Sequence, residues 1–357
     1  MRNTRNLVLK SSLLAVSLAL YSGVYADAMM PSDGSVIPPG TPGFGISLTG
    51  LDLQPNANNL TYAIFTNPLP VDHPNWAQEE VKTTFHPAFD FGLNYMMADG
   101  VDQVHLDWLH FSSSNDASVV GDGATGSVSP PYWFGPGAQF TGAMNASSTA
   151  KFNVDNIDLV FQHFVNVDNH LQVAPFFGLS SAYLKEDLTD NYTGSANPSD
   201  PTPFNITSDN ISKYKGIGPR LGLDTTYFVS QHFGVTAEMG GALLIGSQES
   251  DTTFNSCAGT GCTPQGTTLS DTSHIQMVPE LDGKLGLTYQ TIFNSGSKFD
   301  FEAGYMLKVY INAIDQVVPT KLVGDSFTSG TIALDSDASN ISDLSLNGPY
   351  VKFNWTF

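Results

Sequence analysis

Carboxylates and amines that recur at alternate positions of otherwise apolar runs are the residues of this chain that could do chemistry. In the run from Ile275 to Tyr289, for example, Glu280, Asp282 and Lys284 share one face, whereas leucines dominate the other. A period of two is the pattern of a β-strand with one apolar and one polar face. Charges on one side of a sheet act on ions through their summed electric field, and such a field can make the passage of ions selective for one sign of charge.

The other alternating runs yield further charged candidates on their polar faces. The acidic candidates are Asp90, Asp107, Asp158, Asp224, Glu238, Glu280, Asp282, Asp300 and Glu302, and the basic ones are Lys151, Arg220, Lys284, Lys308 and Lys352. Nine acids against five bases predict that an open lumen would concentrate cations. The alternative is that these groups pair across strands and fill the interior, as in small barrels.

Motifs for bond-making chemistry are absent from the sequence. It contains no Gly-x-Ser-x-Gly, no His-Glu-x-x-His and no phosphate-loop Gly-Lys-Ser/Thr. The glycine-rich stretch 216–222 has the wrong spacing for a nucleotide loop and lies within an alternating run, where glycines allow close strand approach. The histidines on or near these runs are His86, His105, His163 and His274. We expect them to be structural, and we expect no enzyme, metal or cofactor; an outer-membrane hydrolase is the weaker alternative.

The amino terminus indicates export. Basic residues precede a short apolar core from Leu13 to Leu20, and Val24-Tyr25-Ala26 fits a signal-peptidase site. We therefore predict a signal peptide at 1–26, although a retained anchor is the alternative. Residues 27–42 are rich in Pro, Gly and Ser and are predicted to be a flexible periplasmic lead-in. The remaining residues, 43–357, form the predicted domain.

Composition favours a membrane barrel over a soluble domain. The predicted signal carries three of the 14 basic residues and none of the 34 acidic ones, so the mature chain of 331 residues has a formal charge of −23. Such a charge would repel nucleic acid. Charged residues make up 13%, against about 25% in ordinary soluble domains. No later stretch approaches the ~20 apolar residues of a membrane helix, so the apolar outer band of a barrel explains the deficit.

The carboxyl-terminal residues 350–357 alternate strictly and end on an aromatic residue. Trp355 and Phe357 fit the aromatic pair of the outer-membrane assembly signal, whereas Lys352 stands where that signal usually has glycine. We expect this strand to engage the barrel-assembly machinery of a Gram-negative outer membrane. Outer-membrane lipid and lipopolysaccharide are further expected partners, and a homo-oligomer is possible.

Long alternating runs and turn signals predict an antiparallel up-and-down β-barrel of about ten strands. The predicted strands are 43–54, 83–97, 101–112, 150–166, 170–186, 212–229, 232–248, 273–292, 298–315 and 345–357. Tight turns near Asp99-Gly100, Asp168-Asn169, Ser230-Gln231 and Ser295-Gly296 would lie in the periplasm. Polar insertions at 113–147, 189–210, 249–271 and 317–342 would be long external loops.

Three local features leave alternatives open. The segment Leu60–Phe65 could begin the first loop, or pair near Trp76 to give a twelve-stranded barrel. In the fourth strand the apolar phase changes between Val154 and Ile157, which predicts a bulge at 155–156. Cys257 and Cys262, the only cysteines, predict a disulfide that closes a small external loop; free thiols are the alternative.

Several short motifs in this order resemble the Legionella-type major outer membrane proteins. They are Asp107-Trp108-Leu109-His110-Phe111 with Ser112-Ser113-Ser114, Ala174-Pro175-Phe176-Phe177-Gly178-Leu179, residues 215–224 (KGIGPRLGLD), Gly240-Gly241-Ala242-Leu243-Leu244, residues 279–287 (PELDGKLGL) and Asn347-Gly348-Pro349-Tyr350. The resemblance runs from about Gly43 to Phe357. It implies a membrane-spanning barrel that forms a diffusion pore. We expect a porin-like, weakly cation-selective channel for small hydrophilic solutes; the alternative is a closed barrel for adhesion or surface display through acidic loops.

Overall fold

The chain folds entirely from β-strands. The computed structural model describes residues 35–67, 75–121, 127–131, 144–197, 200–259, 263, 265–322 and 334–357. Its strands are β1 Gly43–Ala57, β2 Thr61–Asn67, β3 Asn75–Glu80, β4 His86–Met96, β5 Asp102–Val120, β6 Ser127–Ser129, β7 Met144–His163, β8 Val165–Asn166, β9 Leu171–Asn197, β10 Asp200–Phe228, β11 Phe233–Ala258, β12 Gln265–Ile292, β13 Lys298–Leu322 and β14 Leu334–Thr356. In these ranges no helix has the length and apolarity needed to span a bilayer.

Ten strands close into one antiparallel ring in the order β1-β4-β5-β7-β9-β10-β11-β12-β13-β14. The first and last strands pair with each other, with Leu48 opposite Phe353. The predicted ten-stranded up-and-down barrel is therefore confirmed. The twelve-stranded alternative is wrong, because β2 pairs with β3 near Trp76 but both belong to a separate small sheet with β6.

Tight turns join the strands at the end that we predicted to be periplasmic. The Asp99 carboxylate accepts backbone hydrogen bonds from Val101 and Asp102 at 3.0 and 3.1 Å, and Gly100 takes a positive φ of 71°. Asp168 accepts the backbone N–H groups of His170 and Leu171 in the same way. In both turns these bonds favour the ionised carboxylate, so they lower the pKa of Asp99 and of Asp168.

The apolar face of the strands changes sides along their length. Near the turns of β9, the outward residues Phe177 and Leu179 are exposed apolar groups, as expected for contact with lipid. Farther along the same strand the inward residues Leu184 and Leu188 are buried, and the outward residue Lys185 is only partly exposed. The barrel thus has a membrane half with a charged interior and an outer half whose interior combines an apolar core with buried polar residues.

The predicted bulge at 155–156 is wrong. β7 pairs with β5 without a register break, with Asp155 opposite His110 and Asn156 opposite Leu109. Phe152 and Val154 point inward and are fully buried, whereas Ile157 points outward and is exposed. The apolar phase changes because the medium on each face changes, while the backbone alternation continues unbroken.

The predicted long loops are largely strand. β9 and β10 pair with each other almost to their shared end, where Asp200 lies opposite Asn197. In the outer half the outward positions face water and are polar, so they resemble loop sequence, although every second residue still points into the core. The parts of these segments at 122–126, 132–143, 198–199, 260–262, 264 and 323–333 lie outside the described residues.

Candidate functional site: the charged lumen

Thirteen of the fourteen predicted lumen residues point into the interior of the membrane half; the exception is Lys151. Nine of them line one central cavity, namely Asp90, Asp107, Asp158, Arg220, Glu238, Asp282, Lys284, Lys308 and Lys352. Asp224 and Asp300 line a second cavity of about 170 Å³ toward the turn end. Glu280 is fully buried between Arg220 and Lys308, and Glu302 accepts a hydrogen bond from the Tyr350 hydroxyl.

Lys151 was wrongly assigned to the lumen. It lies opposite Ser114 in the outer half of β7, and its side chain is exposed on the outside. The assignment assumed that the polar face always points inward. That assumption fails above the membrane half, where the polar face meets water.

Arg220 is the centre of a buried ion network. Its guanidinium donates two hydrogen bonds to the Asp282 carboxylate at 2.6 and 2.9 Å and a third to Glu280 at 3.2 Å. The Nε–Oδ2 distance to Asp158 is 3.6 Å, and the Phe176 ring lies 5.5 Å from the guanidinium carbon. Only 5% of Arg220 is exposed, so its charge is compensated by these three carboxylates and by Glu238, 3.8 Å away, rather than by water.

Lys308 joins opposite walls of the barrel. It belongs to β13, which lies five strands from β7 in either direction around the ring. Nevertheless its Nζ donates a 2.8 Å hydrogen bond to the Asn156 side chain on β7, and it also contacts Glu280. Ser180 on β9 donates to the same Glu280 carboxylate at 3.0 Å. The lumen is therefore crossed by side chains at this level.

Acidic groups outnumber basic ones around the remaining space. The Lys284 amine is 3.0 Å from the Glu238 carboxylate, and Asp107 is 2.6 Å from His105. The central cavity measures only about 60 Å³, which is room for a few waters. Nine of the predicted residues that face inward are carboxylates and four are fixed cations, and Lys298, 3.0 Å from Asp300, adds a fifth cation beside the second cavity.

The outer half is closed by the connection between β1 and β2. The Asn58 backbone N–H donates to Ser342 on β14 at 2.8 Å, and the next residue, Asn59, donates to Glu186 on β9 at 2.7 Å. β14 and β9 lie on opposite sides of the ring, so this connection crosses the interior. Leu60 and Tyr62 continue it into an apolar core shared with inward residues of the outer half.

Glu186 and Asp190 belong to this closure and were not predicted. Both are buried on β9, beyond the lipid-facing part of that strand. Burial raises the pKa of Glu186 to about 7, with Asp187 and Asp190 adding to the effect and the Asn59 hydrogen bond opposing it. Burial likewise raises the pKa of Asp190 to about 7, opposed by Ser148 and reinforced by Asp209. Both alternate with Leu184 and Leu188 on one face, which is the available signal; Glu186 is the last residue of the predicted strand 170–186, and Asp190 falls in the predicted loop 189–210.

Raising the pH from 5 to 8 is expected to loosen the β1–β2 connection. A carboxyl whose folded pKa is raised stabilises the closed form below its unfolded pKa, and this stability is lost as the pH rises through the folded pKa. The window is therefore about pH 4.5 to 7 for Glu186, with a loss of about 3 kcal/mol at 1.36 kcal/mol per pKa unit. Hydrogen exchange of residues 58–65, corrected for intrinsic rates, should show less protection at pH 8.

Glu186→Gln should remove the part of this pH dependence that comes from Glu186 and leave the part from Asp190, because glutamine stays neutral and keeps an acceptor for Asn59. The matched control is Asp187→Asn on the outward face of the same strand, where the native carboxylate pairs with Lys185 at 2.7 Å. We expect the control to retain most of the wild-type response. Equal protection of the wild type at both pH values would contradict the prediction.

The predicted assembly residues Trp355 and Phe357 lie outside the lumen. Trp355 is exposed on the outward face and stacks on Phe293 with a centroid distance of 5.7 Å, and Phe357 is exposed beside it; their role in assembly stays a prediction. Lys352 points into the lumen. Cys257 is disulfide-bonded, and Cys262 lies outside the described residues.

The histidines sit in small local contacts. His105, His110 and His163 each contact a single carboxylate, of Asp107, Asp155 and Asp102 respectively, at 2.6–2.8 Å. His86 contacts Asn115, and His274 lies 3.7 Å from Asp271. Among the described residues, no group of three or more His, Cys, Asp or Glu side chains could hold a metal ion.

Comparison with known proteins gives one family match. The family model described as Legionella pneumophila major outer membrane protein precursor matches residues 36–357. Solved structures with similarity include the outer membrane protease OmpT from Escherichia coli, with 10% identity over 90% of this chain and 99% of that chain and a TM-score of 0.44. A Pseudomonas aeruginosa FadL homologue has 8% identity over 90% and 95%, with a TM-score of 0.24. No curated protein sequence matches the chain.

Proposed function

Because the chain belongs to the Legionella major outer membrane protein family, we propose that it is a porin-like channel in the bacterial outer membrane. Small hydrophilic solutes and ions pass through it by diffusion down their gradients, with a weak preference for cations. Export by an amino-terminal signal peptide is part of the proposal. No catalytic step and no cofactor enter it.

The charged interior of the membrane half is the observation that carries this proposal. A barrel that served only as an anchor could fill its membrane half with uncharged side chains. Here seven carboxylates and five fixed cations, Lys298 among them, line the central cavity and the 170 Å³ cavity near the turns. Excess fixed acid raises the local concentration of cations and lowers that of anions, which supports the cation preference.

The outer half must open for solute to pass. The β1–β2 connection bridges β14 and β9, and an apolar core surrounds it. The structure therefore corresponds, in this proposal, to the closed form of the channel. The polar membrane half then acts as the selective segment, and the outer half controls access to it.

Planar-bilayer recording of the refolded mature chain in a salt gradient tests the proposal. We expect discrete conductance steps and a reversal potential on the cation side. Asp224→Asn combined with Glu302→Gln should move the reversal potential toward zero, because the inward acids fall from nine to seven. The outward pair Asp187→Asn and Asp251→Asn is the matched control and should leave it unchanged. A reversal potential on the anion side would contradict the cation preference.

A closed barrel for adhesion or surface display is the second candidate. The buried apolar core of the outer half favours it, because such a core makes a rigid external structure. If heat-modifiable electrophoretic mobility shows that the barrel is folded, and it still gives no conductance steps, this function is favoured over the channel. Lipopolysaccharide, outer-membrane lipid, the barrel-assembly machinery and further copies of the chain are the partners that either function would use.

A further inference from the structure

The outer parts of β13 and β14 leave the wall of the barrel. Pairing of β12 with β13 ends at Glu280 opposite Tyr310, and pairing of β14 with β1 ends at Leu344 opposite Ala57. Beyond these points β13 and β14 pair only with each other. Residues 311–322 and 334–343 thus form a hairpin without a ring neighbour on either side in the described part of the chain. We call it the inner hairpin.

The inner hairpin crosses the interior of the barrel. The Ser250 and Thr252 hydroxyls on β11 donate to the backbone carbonyls of Asp315 and Val317, each at 2.8 Å. The Asp315 backbone N–H donates to Ser212 on β10 at 3.0 Å. Since β12 lies between β11 and β13 in the ring, the hairpin must pass over the inner face of β12. All five residues from Ala313 to Val317 are buried, so both faces of this stretch are covered.

The first of three register shifts between β13 and β14 lies where the hairpin turns inward. The register between β13 and β14 jumps from Tyr310 opposite Leu344 to Ile314 opposite Ser342, so three residues oppose Asp343 alone. Among them Asn312 has a φ of 57°, a left-handed conformation that asparagine tolerates better than most residues. Its N–H donates to the Asp343 carboxylate at 2.7 Å, and its carbonyl accepts from the Gln276 side chain at 2.7 Å.

Where the hairpin leaves the wall, the edge of β12 has no backbone partner in the described residues. β12 continues from Pro279 to Gln265 with no pairing on its β13 side in the described residues. Its outward residues Ile275 and Met277 are apolar and exposed, Ile275 by 83%. An unpaired edge beside apolar outward residues is unfavourable at the margin of a bilayer. Continuing the register of Glu280 and Tyr310 would set Gln276 opposite Ile314 and His274 opposite Gln316.

We propose that the inner hairpin is a gate of this barrel, which acts together with the β1–β2 connection described above. In the closed form it crosses the outer lumen; in the open form it straightens at Asn312, pairs with the free edge of β12 and completes the wall. The exchange gives up the hydrogen bonds that Ser212, Ser250 and Thr252 make to the hairpin, together with the burial of Ala313, Ile314 and Val317, and it gains a backbone ladder with β12. This inference rests on the proposed channel function, since a gate is useful only where something passes.

Cross-linking of the wall-paired form tests the movement separately from conduction. In a Cys257→Ala/Cys262→Ala background, His274→Cys and Gln316→Cys would become directly opposite residues in the open form, at a spacing that permits a disulfide. Oxidant should cross-link this pair in the folded barrel. Adding Ser250→Ala and Thr252→Val removes two donors that hold the hairpin inside and should accelerate cross-linking at least about fivefold.

Two further variants provide a matched control and a second way to disfavour the inward position of the hairpin. Ser247→Ala with Thr253→Val removes hydroxyls from the outward face of the same strand, where they contact Ser273 and Thr268, and should not change the rate. Asn312→Val places a β-branched residue at the positive φ and should accelerate cross-linking, because it disfavours the inward bend. No cross-link, or a rate unaffected by both Ser250→Ala/Thr252→Val and Asn312→Val, would overturn the gate.

Conductance of the same proteins separates the two proposals. If cross-linking behaves as expected and the cross-linked barrel conducts, both the gate and the channel are supported. If cross-linking behaves as expected while no variant conducts, the movement stands and the channel function fails. If the wild type conducts while the pair never cross-links, the channel stands and this gate is wrong.

Discussion

Arg220→Met is expected to lower the free energy of unfolding of the barrel by about 3–5 kcal/mol, the cost of leaving buried charges without their partner. Arg220 neutralises Asp282, Glu280 and Asp158 from one position. Glu280 is fully buried and Asp282 nearly so, and water therefore cannot replace the guanidinium. Lys308 would remain as the nearest cation to Glu280. With Asp282 it has only a long-range electrostatic interaction, without the two hydrogen bonds that Arg220 donates.

Urea unfolding in detergent micelles, followed by tryptophan fluorescence, measures this loss. Arg220→Lys should fall between the wild type and Arg220→Met, because a lysine keeps the charge but not the two parallel hydrogen bonds. Lys215→Met is the matched control: it lies on the outward face of the same strand and is exposed, so we expect a change under about 1 kcal/mol. Arg220→Met combined with Asp282→Asn should recover part of the loss. A loss for Arg220→Met as small as the control's would show that the network contributes no stability.

Phe152→Ala is expected to cost about 3–5 kcal/mol, the usual penalty for truncating a fully buried aromatic residue. Phe152 lies on the inward face of β7 in the outer half and has no exposed surface. Its neighbours include Phe111 and Val154 within one buried apolar cluster. Removal of the ring would leave a cavity that neither lipid nor bulk water reaches, and the loss of contacts is not compensated.

Phe161→Ala on the same strand is the matched comparison. Phe161 points outward in the membrane half and packs on Phe177 with a centroid distance of 5.4 Å. Lipid chains can fill the space that the ring vacates, so we expect less than half the loss of Phe152→Ala. Equal losses, or a larger loss for Phe161→Ala, would contradict the division of the barrel into a membrane half and an outer half. The same urea titration measures both variants.

The sequence predicts the ring of strands well because one rule governs it locally. Each strand near the turns alternates between lipid and lumen, and this local pattern identifies Arg220, Glu280 and Lys308 as inward-facing without any knowledge of their partners. Which residues they meet was not predictable. Lys308 reaches Asn156 across the barrel, and such a contact depends on the diameter of the ring and the shear of its strands rather than on neighbours in sequence.

The errors all come from the outer half and have one physical cause. There the outward face meets water and is polar, while many inward residues are apolar, so the rule used for the membrane half assigns residues to the wrong side. Lys151 was placed inside, an unbroken strand was given a bulge at 155–156, and paired strands at 189–210 were read as a loop. The sequence of β13 has no pattern that indicates its inward course. The bend at Asn312 is recognised only from the positive φ of that residue.

The tall outer half has a consequence for how the molecule can change over evolutionary time. On an exposed loop, a substitution can alter both what a phage or an antibody meets and how the loop folds. On β9, alternate residues such as Lys185, Asp187 and Thr189 face outward while Leu184, Leu188 and Tyr192 hold the core. The outward surface of the strand can therefore be substituted at every second position while the buried core of the outer half stays the same.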